Sequence, residues 1–273
     1  MSCTSVRRTA AVLATGLSLT GLGAPAAAAP PTVDVVNLGD SYSAAFGTGG
    51  IEAAPEIPGC VQGSGRDHVA ALGVHPRIRV TVNAACAGYT TEQVRALVDG
   101  EPVAGALAGA DLVTMTLGGN DVRWGEFVGA CSTRGSAPAC DALLAEAPGR
   151  IAAAAGSAGR TVSAVDDATG GRVVVFGYPH LFDERQDSAL MSAQRAEQLN
   201  AWTDALNCAL EEAVEDEGAV FVDVAEGFRG HGIGSAEPWI LLEAGNPESL
   251  HPTERGYLSG YYPGLLSQVA RAR

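Results

Sequence analysis

Short apolar runs alternate with longer amphipathic stretches along most of the chain. The apolar runs have the length and β-branched content of buried strands, and they cover residues 33–38, 78–82, 112–117, 173–176 and 220–224. Ala-rich or amphipathic stretches that favour helices occupy residues 91–107, 140–165, 189–217 and 253–270. Strands that alternate with helices predict a three-layer α/β/α fold, in which helices cover both faces of a central parallel sheet.

The first 29 residues have a different pattern from the rest of the chain. Arg7 and Arg8 precede an apolar stretch over residues 9–23, and small residues follow it. This order predicts a secretory signal peptide over residues 1–29 and a single exported domain over residues 30–273. The apolar stretch is too short for a stable membrane span. We therefore expect a secreted protein without stable membrane insertion, exported by either the Sec or the twin-arginine route.

The chain is strongly acidic, with a formal net charge of −14. Such acidity argues against nucleic-acid partners and mainly favours solubility, and a monomer is the default expectation. No CxxC motif or His/Cys cluster indicates a metal site, and the glycine-rich stretches lack the spacing of nucleotide-binding loops. We therefore expect no metal and no other cofactor.

Five cysteines follow the predicted signal peptide, and export to an oxidising environment favours disulfides. Cys131 and Cys140 flank a short loop and are expected to pair. Cys60 and Cys86 are the expected second pair. Cys208 is left over and falls in a predicted amphipathic helix, so we expect a buried free thiol at this position.

Polar motifs follow the predicted strands at the points where these strands end. Gly-Asp-Ser at 39–41 follows the first strand, a loop with Gly88 follows the second, and Gly-Gly-Asn-Asp at 118–121 follows the third. His251 opens the last predicted helix. Because functional sites of open parallel sheets lie beyond the carboxyl ends of the strands, we expect these motifs to meet in one site.

The residue types in these motifs predict nucleophilic catalysis. A serine hydroxyl becomes a nucleophile when a base removes its proton, and histidine is the usual base near neutral pH. Ser41 and His251 are the candidates for these roles. Attack on an ester carbonyl produces an oxyanion, and the candidate donors are the main-chain amides of Ser41 and Gly88 and the side-chain amide of Asn120.

Residues beside the motifs have more than one interpretation. Asp40 could act as a triad acid, but we expect its side chain to brace the turn. Asp121 is expected to hold its loop or the neighbouring asparagine. Trp124 and Phe127 could line an acyl-chain pocket, and simple packing explains them equally well.

The order of these motifs resembles the SGNH (GDSL) hydrolases, whose four name-giving residues match Ser41, Gly88, Asn120 and His251. The resemblance covers essentially the whole chain after the predicted signal peptide. Gly-Tyr-Pro at 177–179 is similar to the secreted actinobacterial lipase and esterase branch. The resemblance implies a flavodoxin-like sheet and a serine esterase that acts on lipid-type esters. Phospholipase A1 activity is the nearest alternative, and a carbohydrate O-deacetylase or an inactive secreted binding module is further off.

The sequence departs from the pattern of this family at two points. The family usually has Asp three residues before its histidine, and this chain has Glu248 there. Two orienting groups for His251 therefore stay open, namely the Glu248 carboxylate and, as in some relatives, a main-chain carbonyl, here that of Ser249. A third disulfide of many relatives also lacks both of its cysteines here, which supports a free thiol at Cys208.

Overall fold

A five-stranded parallel sheet forms the centre of the protein, whose structure is a computed structural model describing residues 32–272. The expected signal peptide lies outside the described residues. The strands, in chain order, are β1 (Val33–Asn37), β2 (Ile51–Ala53), β3 (Val61–Gly63), β4 (Ile78–Asn83), β5 (Leu112–Thr116), β6 (Arg172–Phe176) and β7 (Val220–Val222). All five runs that the sequence pattern predicts as strands are strands of the central sheet.

The central sheet has the strand order β4-β1-β5-β6-β7, and each neighbouring pair is parallel. This is the flavodoxin-like order, so the expected fold class is confirmed. The chain passes from β1 to β4 on one side and then returns past β1 to β5. The order therefore reverses at β1, and ligands of such sheets bind outside the carboxyl ends of the strands at this point.

Two groups of helices flank the sheet. The helices, in chain order, are α1 (His68–Gly73), α2 (Thr91–Arg95), α3 (Val103–Leu107), α4 (Trp124–Cys131), α5 (Ala137–Ala168), α6 (Ala193–Asp216), α7 (Glu254–Gly256) and α8 (Tyr262–Val269). Helices α2 to α6 form one packed group, with α5 at its centre, and α1 packs against α8 in the other. The alternating pattern predicts this layered arrangement.

The single helix predicted over residues 91–107 is divided into α2 and α3. Gly100 and Pro102 lie between the two helices. Proline lacks the backbone N–H that a helix interior needs, and glycine is a weak helix former, so the sequence itself contains the reason for the interruption.

The last predicted helix contains a wide turn. A π-helical segment, Tyr257–Tyr261, separates α7 from α8. A Cβ atom at Gly260 would lie 2.0 Å from an atom of the Phe228 ring, so this ring packs directly on the helix backbone. Single π turns of this kind are often found near functional sites.

The antiparallel ribbon of β2 and β3 was not predicted from the sequence. Both strands are short, and the β2 residues are all exposed, so no alternating apolar pattern marks them. The ribbon leads to Cys60, which is linked by a disulfide to Cys86 in the loop after β4.

Both expected disulfides are present. Cys60–Cys86 and Cys131–Cys140 have Cα–Cα distances of 5.2 and 4.7 Å. The expectation of a buried free thiol at Cys208 is wrong, because no cysteine within residues 32–272 is free and Cys208 is disulfide-bonded. Cys208 is also half-buried on α6 rather than buried.

Candidate active site

Ser41 lies in a tight turn directly after β1. The turn is held against β5, because the Asp40 amide donates a hydrogen bond to the Thr116 carbonyl at 3.1 Å. Gly39 has φ +111°, and a Cβ atom there would lie 2.6 Å from the same carbonyl oxygen. Only glycine fits this close approach, which brings the nucleophile candidate to the carboxyl edge of the sheet.

The imidazole of His251 contacts Ser41 at the end of the loop before α7. Its Nε2 lies 2.8 Å from Ser41 Oγ. On the other side, Nδ1 lies 3.0 Å from the main-chain oxygen of Glu248 and 3.1 Å from that of Ser249. A carbonyl oxygen can only accept, so Nδ1 carries the proton and Nε2 is free to accept the Ser41 hydroxyl proton.

The structure distinguishes the two orienting groups that the sequence leaves open. The Ser249 carbonyl contacts Nδ1, whereas Glu248 contacts it through its main-chain oxygen rather than its carboxylate. The Glu248 side chain is buried, and its Oε1 has no hydrogen-bond partner within residues 32–272. Burial, with a smaller contribution from the nearby Glu243 charge, raises the pKa of this carboxyl group.

His251 is suited to act as a base near neutral pH. Burial lowers the pKa of its imidazole, and the two carbonyl acceptors offset part of that effect. Desolvation therefore keeps the ring neutral at pH 7. A neutral imidazole in contact with a serine hydroxyl can accept its proton.

Three candidate donors for an oxyanion lie on the loops after β1, β4 and β5. Within residues 32–272, the main-chain amides of Ser41 and Gly88 donate no hydrogen bond to the protein. Gly88 has φ +81°, and a Cβ atom there would meet nothing within 4 Å, so the space beside it is open. Asn120 Nδ2 donates to the Tyr89 carbonyl at 2.8 Å, which ties the asparagine to the Gly88 loop. Gly88 itself is exposed at the edge of the site.

Asp121 connects the asparagine loop to α2. Its carboxylate accepts hydrogen bonds from the Thr91 amide at 3.0 Å and from the Thr91 hydroxyl at 2.7 Å. The hydroxyl of Thr91 also contacts Ser157 of α5 at 2.5 Å. These contacts hold the asparagine loop against α2 and α5.

Asp40 is buried behind Ser41 and does not contact His251. Its carboxylate accepts hydrogen bonds from the Tyr42 amide, the Thr116 hydroxyl and the Tyr178 hydroxyl. Burial raises its pKa from 3.8 to about 6, and the hydrogen bonds act in the opposite direction. Tyr178 was not predicted as part of this site, although its position just after β6, at the carboxyl edge of the sheet, is a usable signal.

A cavity of about 480 Å³ opens beside the serine–histidine pair. Besides Ser41, Asn120 and His251, its walls include the apolar side chains of Trp124, Leu181, Leu206 and Leu250. Phe127 is instead buried and stacks on the Trp124 ring. The cavity can therefore hold an apolar group directly next to the nucleophile candidate.

Residues 32–272 contain no group of three or more His, Cys, Asp or Glu side chains arranged to hold a metal ion. In the same range, none of the helices combines the length and the apolar character needed to cross a membrane.

Comparisons with known proteins point to the same chemistry. Residues 38–258 match the GDSL-like Lipase/Acylhydrolase family. A lipase from Streptomyces rimosus is 32% identical over 269 residues, covering 95% of this chain and 96% of the relative. Lipase 1 from Streptomyces coelicolor is 30% identical over 272 residues, covering 93% of this chain and 94% of the relative.

Solved structures of two Streptomyces enzymes have the same fold. The crystal structure of an extracellular lipase from Streptomyces rimosus has a TM-score of 0.75 and 30% identity, covering 86% of this chain and 99% of that chain. A phospholipase A1 from Streptomyces albidoflavus has a TM-score of 0.74 and 26% identity, with the same coverage. Since the family match spans both the Gly-Asp-Ser turn and the histidine that contacts it, the chain belongs to the GDSL-like lipase/acylhydrolase family and is a carboxylic ester hydrolase.

Proposed function

We propose that the protein is a secreted lipase or esterase that cleaves lipid-type carboxylic esters through an acyl-enzyme on Ser41. The single observation that carries this proposal is the 2.8 Å contact between His251 Nε2 and Ser41 Oγ. The apolar cavity beside the pair supports an acyl chain as the bound group, and the names of the Streptomyces relatives support lipid esters as substrates.

In the first half of the reaction, His251 Nε2 takes the hydroxyl proton as Ser41 Oγ attacks the ester carbonyl carbon. The carbonyl oxygen becomes an oxyanion, and the proposed donors that stabilise it are the amides of Ser41 and Gly88 and the side chain of Asn120. The tetrahedral intermediate then expels the alkoxide, which leaves as an alcohol after taking the proton from His251. Ser41 now carries the acyl group.

In the second half, water replaces the alcohol. His251 takes one proton of the water while the water oxygen attacks the acyl carbon. The same donors hold the second oxyanion. Collapse releases the carboxylic acid, and the proton returns to Ser41 Oγ. Throughout, the carbonyls of Glu248 and Ser249 hold Nδ1–H and stabilise the imidazolium that forms twice in each cycle.

Phospholipase A1 activity is the second candidate. The observation that favours it is the similarity to the phospholipase A1 structure, which is nearly as high as the similarity to the lipase structure. Both reactions use the same nucleophile and base on a carboxylic ester, so the Ser41–His251 pair does not distinguish lipase from phospholipase activity. The discrimination depends on how the substrate's alcohol part fits the mouth of the cavity.

Export and assembly belong to the proposal as well. A signal peptide over residues 1–29, followed by a domain over residues 30–273, would deliver the enzyme outside the cell, where a monomer is the proposed state. The sequence pattern of the first 29 residues supports export, and so does the extracellular origin of the Streptomyces rimosus lipase. Mass spectrometry of culture supernatant tests the cleavage site, since an N-terminus at residue 30 is expected.

A substrate panel tests the proposed reaction. Short- and long-chain p-nitrophenyl esters, triolein and phosphatidylcholine are hydrolysed side by side with EDTA present. Ser41→Ala is the inactive variant, and Ser267→Ala on the exposed face of α8 is the matched control. Highest activity on long-chain neutral esters establishes a lipase, and preference for phosphatidylcholine establishes a phospholipase. A folded wild-type protein that neither hydrolyses an ester nor reacts with a fluorophosphonate overturns the proposal.

A further inference from the structure

The carboxylate of Asp40 joins the nucleophile turn to the end of β5. Asp40 is 1% exposed, and its Oδ1 accepts hydrogen bonds from the Tyr42 amide at 3.0 Å and from the Thr116 hydroxyl at 2.5 Å. Ser41 lies between the two bonded residues of the turn. A buried ionised group with several donors makes strong, directional bonds, so this carboxylate is a rigid point of the site.

The other carboxylate oxygen reaches a third loop. Asp40 Oδ2 accepts a hydrogen bond from the Tyr178 hydroxyl, and the same phenolic oxygen accepts one from the Gly119 amide at 2.9 Å. A Cβ atom at Gly119 would lie 3.1 Å from the ring carbon that bears the hydroxyl. The ring thus lies directly against the backbone that leads into Asn120, and the absence of a side chain at Gly119 permits this approach.

Tyr178 thereby connects two residues, each of which immediately precedes a proposed oxyanion donor in the chain. Asp40 precedes Ser41, and Gly119 precedes Asn120. Donors for an oxyanion must be held in position before the reaction, and a displacement of about 1 Å can cost roughly 100-fold in rate. A bridge through one hydroxyl is a direct way to hold the distance between the two loops.

We propose that Tyr178 is a positioning residue for ester hydrolysis, because it bridges Asp40 and Gly119 and so holds Asn120 at the distance from Ser41 that the oxyanion requires. This inference rests on the proposed acyl-enzyme mechanism. Tyr178 also lines the cavity, and the phenyl ring of a Phe variant would keep the apolar part of this lining. The two parts of the side chain can therefore be separated by experiment.

Tyr178→Phe removes the bridge and keeps the ring. We expect kcat to fall about tenfold while KM for a long-chain p-nitrophenyl ester changes less than about twofold. Rates are expressed per active site, titrated by fluorophosphonate labelling of Ser41. Tyr261→Phe is the matched control, because its buried hydroxyl donates to the Gly177 carbonyl at 2.9 Å and contacts neither Asp40 nor Gly119. This control should keep the wild-type kcat.

A double-mutant cycle tests whether Asp40 and Tyr178 act through one bridge. Asp40→Asn keeps an acceptor oxygen but weakens the bond to the phenol. If the bridge is shared, the double variant Asp40→Asn/Tyr178→Phe should lose no more kcat than the more damaged single variant. Losses that multiply would show independent roles and overturn the inference.

The remaining outcomes separate the two proposals. Equal kcat values for Tyr178→Phe and Tyr261→Phe, with active wild type, overturn the positioning role alone. A wild-type protein that hydrolyses no ester overturns the proposed function and this inference together. If Tyr178→Phe does not fold, Gly119→Ala tests the same bridge from the other loop, and the same loss of kcat at constant KM is expected.

Discussion

The hydroxyl of Tyr42 donates a hydrogen bond of 2.6 Å to the main-chain oxygen of Leu250, and so links the residue after Ser41 to the residue before His251. The two residues are 208 positions apart in the chain. Leu250 has φ 72°, a left-handed conformation that is unfavourable for leucine. The bond from Tyr42 helps to hold this conformation, which directs the imidazole towards the serine.

Tyr42→Phe should therefore lower kcat clearly and reduce the free energy of unfolding only slightly. Loss of one buried hydrogen bond costs about 1 kcal/mol in the free energy of unfolding. We expect kcat for a short p-nitrophenyl ester to fall about tenfold, because the loop that carries His251 loses its tether. Tyr262→Phe, at a half-buried position of α8, is the matched control for the change of residue type. Unchanged kcat in Tyr42→Phe would contradict the tethering role.

Glu248→Gln should leave the reaction nearly unchanged. The carboxylate makes no hydrogen bond to His251 within the described structure, while the main-chain oxygen that does so is kept in any variant. We expect kcat within about threefold of the wild-type value, since removal of a true triad acid costs about 10⁴-fold. Steady-state kinetics with a p-nitrophenyl ester measures this. A loss of more than about 100-fold would show that the carboxylate orients the imidazole during turnover.

The acid limb of kcat/KM should lie below pH 6.5. Burial lowers the pKa of His251, and the reaction needs its neutral form, so activity persists as the pH falls and is lost only below the ordinary histidine value. Asp40, with its pKa raised to about 6, titrates in the same range. The profile of Asp40→Asn, recorded by pH-stat on a neutral ester, removes that contribution. An acid limb at or above pH 6.5 in both the wild type and Asp40→Asn contradicts the assignment of this limb to a His251 with a lowered pKa.

The two disulfides should differ in their effect on catalysis. Replacing both cysteines of Cys60–Cys86 or of Cys131–Cys140 by serine should lower the free energy of unfolding by about 3 kcal/mol in either case. Cys86 is two residues before Gly88, so only the first replacement should loosen a proposed oxyanion donor. We expect kcat to fall several-fold in that variant alone. Urea unfolding and kinetics of the two variants provide the test. Equal kcat values would show that the Cys60–Cys86 disulfide does not position the Gly88 loop for catalysis.

Local sequence patterns were sufficient to predict the strands of the central sheet. The β-branched runs that become β1, β5 and β6 are buried on both faces, and a continuous apolar run is the direct consequence of that burial. The ribbon of an exposed β2 and a partly buried β3 has no such burial, and its sequence carries no corresponding pattern. Burial is thus the physical link between pattern and element.

The sequence by itself determined the parallel α/β sheet, the edge at which the site lies, and the residue types for nucleophile, base and oxyanion donors. These depend on apolar periodicity and on side chains that have a particular chemistry. The groups that contact the base were decided only by the tertiary structure. Every residue has a main-chain carbonyl, so nothing in the side-chain pattern marks Glu248 and Ser249 as the acceptors of His251 Nδ1. The bond between Asp40 and Tyr178 spans 138 positions and exists only because β1 and β6 end at the same edge of the folded sheet.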